Sequence, residues 1–316
     1  MGSDQDEAAD AARAIVRSYR KRLRRFAEMG YLEVWYNRID DGAILDALSP
    51  KVRRRAERVL DKARAKGHVQ VLDKLTERVG GEHRIIENVP LVVRETHTDA
   101  GTPMDAALDR LLRPYLDALS DDRRRLLSRY RIVDVARKVV GVGSVGTACW
   151  VVLLQGVDED DPLFLQVKEA QPSVLAPHVD HKLPFDNQGR RVVVGQRMIQ
   201  GSPDIFLGWC EVDGKHLYVR QLADMKGGME FEEGNRDQFA AFAEYCGLCG
   251  WALALAHAKS GNAAQIAGYC GNSSELDDAL AKFALAYVGQ TDKDHEARQK
   301  ARRRGRIQVA SERVVK

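Results

Sequence analysis

The stretch that decides the fold is Val139-Val140-Gly141-Val142-Gly143-Ser144-Val145-Gly146-Thr147. It stands between two apolar segments, residues 132–140 and 147–154, whose valine and leucine content is typical of strands. A third apolar segment, residues 163–168, follows and ends on a lysine. The sequence therefore predicts a strand, a glycine-rich loop and two further strands, which together begin an antiparallel sheet.

The glycine string G-x-G-x-x-G has three interpretations. It can be a hairpin in which the glycines serve only the backbone. A dinucleotide-binding turn needs a helix directly after the glycines and an acidic residue about 20 positions on, whereas residues 148–154 have the pattern of a strand. A strand, loop and strand is the arrangement of a kinase-type lid, where glycines let backbone N–H groups approach phosphate oxygens. The sequence has no Gly-Lys-Ser/Thr string, which argues against a P-loop NTPase.

Under the kinase-type interpretation, the phosphate-binding loop consists of its glycines and their neighbours. These residues are Gly141, Gly143, Ser144, Val145, Gly146 and Thr147. A lid of this kind is followed by a lysine on the next strand, and Lys168 stands there. An ammonium group at the end of an apolar strand is costly unless it pairs with anions. We therefore expect Lys168 to contact the phosphates.

The following segments continue the same order. Residues 187–200 predict a helix, and residues 204–212 and 216–222 predict two strands joined at Asp213-Gly214. Gln221, Leu222 and Asp224 then fall in the connector where kinase-like folds offer backbone groups to adenine. An ordinary exit from strand to loop explains the same residues, so both interpretations stay open.

Outward from this sheet, the chain has a helical pattern. Helices are predicted over residues 6–29, 53–66 and 69–79, with an extended piece at 84–94. Residues 104–130 predict two helices separated by a turn at Ser120-Asp121-Asp122, where Ser120 is a good N-cap. A long helix is predicted over residues 236–259. We divide the chain into a helical region (1–130, part of a helical lobe), an antiparallel-sheet nucleotide-binding lobe (131–228) and a helical region with a basic tail (229–316). The predicted class is α+β.

Composition sets limits on function. The chain has 316 residues, of which 44% are hydrophobic and 30% charged, and its net charge is +3. This composition excludes collagen-like chains and argues against global disorder. The charge is uneven, because residues 131–290 are acidic and both flanking regions are basic. An acidic lobe is a poor general trap for anions, so ATP there must be held by local groups and Mg²⁺.

The cysteines and the longest uncharged run predict neither a metal site nor a membrane span. Five cysteines, an odd number, fit free thiols in a cytoplasmic protein. Cys246 and Cys249 have zinc-like spacing, but they lie in a helical pattern without a second pair, which favours core thiols. The uncharged run 139–157 contains four glycines and predicts two strands, not a membrane helix.

A family resemblance rests on specific strings spread over nearly the whole chain. They are Val139 to Thr147, Phe164 to Ala170, Gly195-Gln196-Arg197, Asp204 to Trp209, Tyr218 to Leu222 and Ala256 to Gly261. On these residues the chain resembles the bacterial family known as domain of unknown function 2252. That family has no settled activity, but it resembles the protein-kinase and aminoglycoside-phosphotransferase superfamily with a circularly permuted motif order. The resemblance implies a kinase-like fold, with a small antiparallel lobe and a mostly helical lobe.

The chain departs from the family pattern in two places. The Gly-Asp-x-His catalytic-loop string and the following metal-binding Asp-x-Asp string, which precede the glycine loop in the family, are not found in it. The catalytic residues are therefore unknown, and we expect the chain to lack the family's N-terminal catalytic region. Kinases also hold the loop lysine with a helix glutamate. Here Gln196 or the adjacent Glu169 would have to take that role for Lys168.

Three functional hypotheses follow from the sequence. The first is an ATP- and Mg²⁺-binding kinase-like phosphotransferase with an unknown phosphate acceptor. The second is a pseudoenzyme that binds a nucleotide, or a partner, without catalysis. The third, nucleic-acid binding, rests on the basic ends of the chain and is the weakest, because solvated helix faces have the same composition.

Overall fold

A computed structural model describes residues 2–65, 68–98, 101–139, 146–180, 184–222, 228–231 and 236–307. The fold is α+β, with a six-stranded antiparallel sheet and a two-stranded one. The described chain divides into two compact units, each built from separated stretches of sequence. The three-part domain division remains a prediction.

The first unit is helical. It contains α1 (Gly2–Ala27), α2 (Tyr31–Tyr36), α3 (Asp41–Asp46), α4 (Pro50–Ala65), α9 (Arg236–Ser260), α10 (Ala263–Cys270) and α11 (Glu275–Arg303). The helices predicted over residues 6–29, 53–66 and 236–259 are thus confirmed. Helices α1 and α9 approach closely at Gly250, where an added Cβ would lie 2.2 Å from the Ile15 carbonyl oxygen.

Polar contacts fix α1 against the other helices of this unit. Arg20 donates through Nε and Nη2, on one edge of its guanidinium, to the two carboxylate oxygens of Asp277 at 3.0 and 2.8 Å, and Asp277 is fully buried. The Tyr19 hydroxyl lies 2.8 Å from Nδ1 of His257. The prediction of core thiols holds for Cys246, which is buried, and is wrong for Cys249, which is exposed. Leu253, one turn further along α9, is 46% exposed as well, so this face of the helix is open to solvent.

The length and apolar composition of residues 238–260 in α9 would also suffice for a membrane span. Core helices of soluble proteins can have the same length and apolar composition. In α9, Trp251, Ala254 and Leu255 pack against Leu23 and Phe26 of α1.

The second unit contains every described strand. Its elements are α5 (His68–Leu75), β1 (Thr76–Val79), β2 (Glu82–Ile85), β3 (Val92–Val93), α6 (Met104–Asp117), α7 (Asp121–Leu127), β4 (Arg131–Lys138), β5 (Cys149–Gln155), β6 (Pro162–Glu169), α8 (Gln188–Ile199), β7 (Gly208–Val212) and β8 (Lys215–Gln221). The last two residues of α8, Met198 and Ile199, belong to the first unit. The large sheet has the order β3-β4-β5-β6-β8-β7.

Two predicted elements need correction. The helix expected over residues 69–79 ends at Leu75, and Thr76–Val79 instead pairs with β2 as a hairpin through Gly80 and Gly81. The left-handed φ angles of these glycines make the turn, so the helical spacing of the apolar residues is overridden. The strand expected from residue 204 begins at Gly208, because the Asp204 carboxylate accepts the backbone N–H of Phe206 and forms a turn there.

The sheet has two faces, which we name after neighbouring residues of β6. The Val167 face is apolar and packs on α6 and α7 through residues such as Val152, Leu165 and Val219. Tyr115 of α6 is buried there and its hydroxyl donates to the Phe206 carbonyl at 2.7 Å. The opposite Lys168 face has an apolar part, where Phe164 and Leu153 are covered by Leu72 and Ile85.

Candidate functional site

Strand register brings the polar residues of the Lys168 face together at one end of the sheet. Lys168 pairs with Cys149 of β5 on one side and with Tyr218 of β8 on the other. Directly paired residues on antiparallel strands point to the same face. Strand β4 ends at Lys138 and β5 begins at Cys149, so the glycine-rich connection joins the sheet at this same end. The assignment of the loop and Lys168 to phosphate binding stays a prediction.

Part of the predicted loop lies outside the described residues, namely Gly141, Gly143, Ser144 and Val145, as does Asp224 in the connector. Gly146 has a φ of +89°, a left-handed conformation that favours glycine. Thr147 follows it and leads into β5. Gly146 and Thr147, the described end of the loop, therefore form a turn directly before β5, in which Cys149 pairs with Lys168.

A second group of polar side chains lies two residues further along the same face. Gln166 is 2% exposed and its Oε1 accepts a hydrogen bond from Nε of Arg220, its partner in register, at 3.1 Å. Burial raises the pKa of the Cys149 thiol, while the charges of Lys168, Lys138 and Arg220 and a hydrogen bond with Gln166 lower it. Three cations therefore act on one buried sulfur at this end of the face.

Lys168 is half-buried, and no hydrogen bond or ion pair joins it to any other residue in the part of the chain that the structure describes. Glu169 is turned away, since successive strand residues point to opposite faces. Its Oε2 accepts the backbone N–H of Ala148 at 2.9 Å. Asp134, a carboxylate on the Lys168 face, accepts the Ile85 N–H and lies 3.4 Å from Arg94. The ammonium group of Lys168 thus stands among cations without a described counter-ion.

Helix α8 lies over the same face. Trp209 pairs with Tyr218, which pairs with Lys168, so the Trp209 ring points to the Lys168 face. Arg190 and Arg197 of α8 sit 6.0 and 5.9 Å from the centre of that ring. Gly189 allows the close approach, because an added Cβ would lie 2.1 Å from the Leu217 carbonyl oxygen.

The helix has no glutamate with which to hold the lysine. Its sequence from Gln188 to Ile199 carries three arginines and no acid. Gln196, the proposed substitute, is half-buried on this helix and forms no hydrogen bond with Lys168 among the described residues. The assignment of Gln196 or Glu169 as lysine partner stays a prediction.

The predicted adenine connector starts at the other end of β8. Gln221 pairs with Leu165, three residues from Lys168 along β6, which is about 10 Å at 3.3 Å per residue. The Gln221 N–H donates to the Asp204 carboxylate, and the Leu222 N–H donates to the Phe164 carbonyl at 2.9 Å. Both amides therefore already have acceptors.

Sequence reasoning missed Lys138, Gln166 and Arg220. A signal was present for Gln166, a polar residue two positions before Lys168 in the mostly apolar strand β6. Strands β4 and β8 contain several other polar residues, so Lys138 and Arg220 do not stand out in them. What the sequence could not supply is the register that aligns Gln166 with Arg220. The resulting arrangement is suited to binding an anion with several charges. No group of three His, Cys, Asp or Glu residues able to hold a metal ion occurs among the described residues.

Comparison with known proteins identifies a family. No curated protein and no solved structure matches the chain. A family model described as "Uncharacterized protein conserved in bacteria (DUF2252)" matches residues 1–301. The chain therefore belongs to this bacterial family of uncharacterized proteins.

Proposed function

We propose that the chain is a kinase-like nucleotide-binding protein that holds the phosphates of ATP at the glycine end of the Lys168 face. The glycine-rich loop, residues Gly141 to Thr147, would cover the phosphates with backbone N–H groups. Lys168 would pair with phosphate oxygens, and Arg220 and Lys138 would add positive charge.

The observation that carries the proposal is the half-buried Lys168, which has no described counter-ion and, like Lys138 and Arg220, acts on the Cys149 thiol at the end of the sheet where β4 ends and β5 begins. Clustered positive charges in a partly desolvated place repel one another, and an anionic ligand relieves that repulsion. Charge-assisted hydrogen bonds from lysine and arginine to phosphate are stronger than those between neutral groups. A polyphosphate therefore suits this face better than a neutral ligand.

The order of elements supports a kinase-like arrangement over a simple hairpin. The lysine stands on the third strand of the β4-β5-β6 meander, and a helix over the same face follows it, as in kinases. The roughly 10 Å between Lys168 and Gln221 along the sheet matches an extended nucleoside triphosphate with its base toward the connector. Because the Gln221 and Leu222 amides are occupied, adenine would have to use other groups of the connector, where Asp224 was predicted.

The resemblance also implies Mg²⁺. Mg²⁺ is usually held by one or two carboxylates together with substrate phosphates and water. The described residues contain no cluster of three or more His, Cys, Asp or Glu side chains, so the phosphates of the nucleotide would supply part of its coordination. The phosphate acceptor and the catalytic residues stay unassigned, and a non-catalytic nucleotide-binding protein is the second candidate.

The first experiment is a thermal unfolding series with Mg·ATP. A ligand that binds only the native state raises the melting temperature, by an amount that grows with the logarithm of its concentration relative to its Kd. We expect stabilisation of the wild type and of Lys282→Ala, an exposed lysine on α11, and none of Lys168→Ala. Absence of a shift with any nucleotide would refute nucleotide binding. Release or transfer of the γ-phosphate would then separate a transferase from a non-catalytic protein.

A further inference from the structure

The short helix α2 carries an apolar surface that stands open to solvent. Four of its six residues, Tyr31, Leu32, Trp35 and Tyr36, are large apolar or aromatic side chains that are 52–94% exposed. Tyr31 and Trp35 are four residues apart, as are Leu32 and Tyr36, so each pair lies on one line along the helix. The two lines are adjacent and form one continuous surface, which we call the α2 patch.

Helix α2 is anchored from its opposite side. Val34, the remaining apolar residue of the helix, is buried in the same cluster as Leu23 of α1 and Trp251 of α9. Its N–H donates to the Gly30 carbonyl at 3.0 Å and closes the first turn. The patch is therefore presented outward by a helix that is packed into the first unit.

The area of the patch is large for the surface of a single chain. With about 200 Å² for each fully exposed large side chain, the four residues leave roughly 600 Å² uncovered. Apolar patches of this size mark interaction sites. A stable protein–protein contact takes about 800 Å² from each partner, and tyrosine and tryptophan provide much of the binding energy in such contacts. The α2 patch thus supplies most of the area that one side of a stable dimer needs.

The charges around the patch have both signs. Glu28 precedes the helix, Glu33 lies in it and Arg38 follows it, and all three are exposed without an ion pair among the described residues. The Asp40 carboxylate, beyond Arg38, accepts the Ala43 N–H at 2.8 Å. An anionic membrane would repel the two glutamates. A second copy turned end for end instead brings its acidic end toward Arg38, so the patch complements itself.

We propose that the α2 patch joins two copies of this chain in a symmetric dimer, with the two α2 helices packed antiparallel across a two-fold axis. The four residues of the patch are placed symmetrically about the middle of the helix. In an antiparallel pair Leu32 therefore meets the partner's Trp35, and Tyr31 meets the partner's Tyr36. A two-fold contact of this kind uses the same surface on both copies and closes on itself. The dimer does not depend on nucleotide binding, since α2 belongs to the first unit and Lys168 to the second.

The test is sedimentation velocity of the full chain over a range of about 1 to 100 µM, a span suited to contacts of this size. We expect the wild type to move with concentration from a mass of 35.3 kDa to twice that value. Leu32→Lys places like charges at the centre of the contact and should weaken the dimer by about tenfold or more. Tyr31→Ala, at a side chain that is almost wholly exposed, should weaken it by about tenfold.

Two tyrosines provide matched controls. Tyr269 of α10 and Tyr287 of α11 are exposed on other helices of the same unit, and their alanine variants should dimerise as the wild type does. Emission from Trp35 is a further readout that needs no disruptive change. Dilution of the wild type should shift the tryptophan emission to longer wavelength, and Trp35→Phe should remove that shift.

Three results would overturn the proposal. The first is a wild type that stays monomeric over the whole range, whether or not it binds phosphatidylglycerol vesicles. The second is a Leu32→Lys protein that dimerises as tightly as the wild type. The third is a dimer that Tyr287→Ala disrupts and Tyr31→Ala does not, which would assign the contact to α11.

Discussion

The two faces of the six-stranded sheet differ although they share every strand. On the Val167 face the side chains are apolar, and a helix covers them. On the Lys168 face, apolar packing covers only part of the sheet. Charged or amide side chains occupy the end of that face where β4 ends and β5 begins. Burying polar groups in strands of this composition lowers stability unless they have partners. On the proposal made above, the Val167 face supports the fold and the Lys168 face binds the nucleotide.

The largest expected effect lies on the Val167 face. Leu165→Ala removes a side chain that is 4% exposed, so it should lower the free energy of unfolding by about 2–5 kcal/mol through lost burial and the cavity left behind. Urea denaturation at constant pH measures this. If Lys168→Met, three residues away, lowered the free energy of unfolding by the same amount, the two faces would contribute equally to stability, contrary to this expectation.

A smaller loss is expected where α8 meets β8 on the Lys168 face. Gly189→Ala would place a Cβ 2.1 Å from the Leu217 carbonyl, so the helix must shift, at a cost of about 1–3 kcal/mol. Gly195→Ala is the matched control in the same helix, since no atom lies within 4 Å of its added Cβ. This change should stabilise the protein by about 0.4–1 kcal/mol. Similar results for both variants would show that α8 does not pack as described.

Gly189 and Gly195 also show which parts of the fold can be predicted from the sequence and which cannot. The apolar runs of β5 and β6 predict buried strands, and the glycine loop with its following lysine predicts their order. Glycine in a helical segment gives no sign of whether its Cβ is forbidden, as at Gly189, or free, as at Gly195. Nor does an almost wholly apolar strand indicate which of its faces is closed by a helix. Both depend on contacts between distant residues.

Alkaline pH tests the core of the Val167 face through Cys210, which lies in it. Burial raises the pKa of this thiol to about 12 from 9.0. The native state therefore keeps the proton between these values while the unfolded chain loses it. The stabilisation is complete below about pH 9 and falls as the pH rises toward 12, by at most about 1.4 kcal/mol per pH unit for one group.

The variant Cys210→Val should flatten this decline, measured as the difference in unfolding free energy between mildly and strongly alkaline buffers. Cys249→Val, at an exposed position, is the control for removing a thiol. If both variants decline with the slope of the wild type, the buried thiol has no part in the alkaline loss.

The smallest effect on stability is expected for Lys168→Met. The ammonium group is half-buried and has no described counter-ion to lose. The free energy of unfolding should change by no more than about 0.5 kcal/mol. A loss of several kcal/mol in urea denaturation would mean that Lys168 supports the fold.

The central claim is that the Lys168 face binds the phosphates of a nucleotide. Isothermal titration with adenosine, ADP and ATP tests it directly, using the wild type, Lys168→Met and the surface control Lys282→Met. We predict that affinity rises with each added phosphate in the wild type and the control, and that Lys168→Met removes most of this rise. Adenosine binding as tightly as ATP, or a Lys168→Met protein that binds ATP like the wild type, would contradict the account.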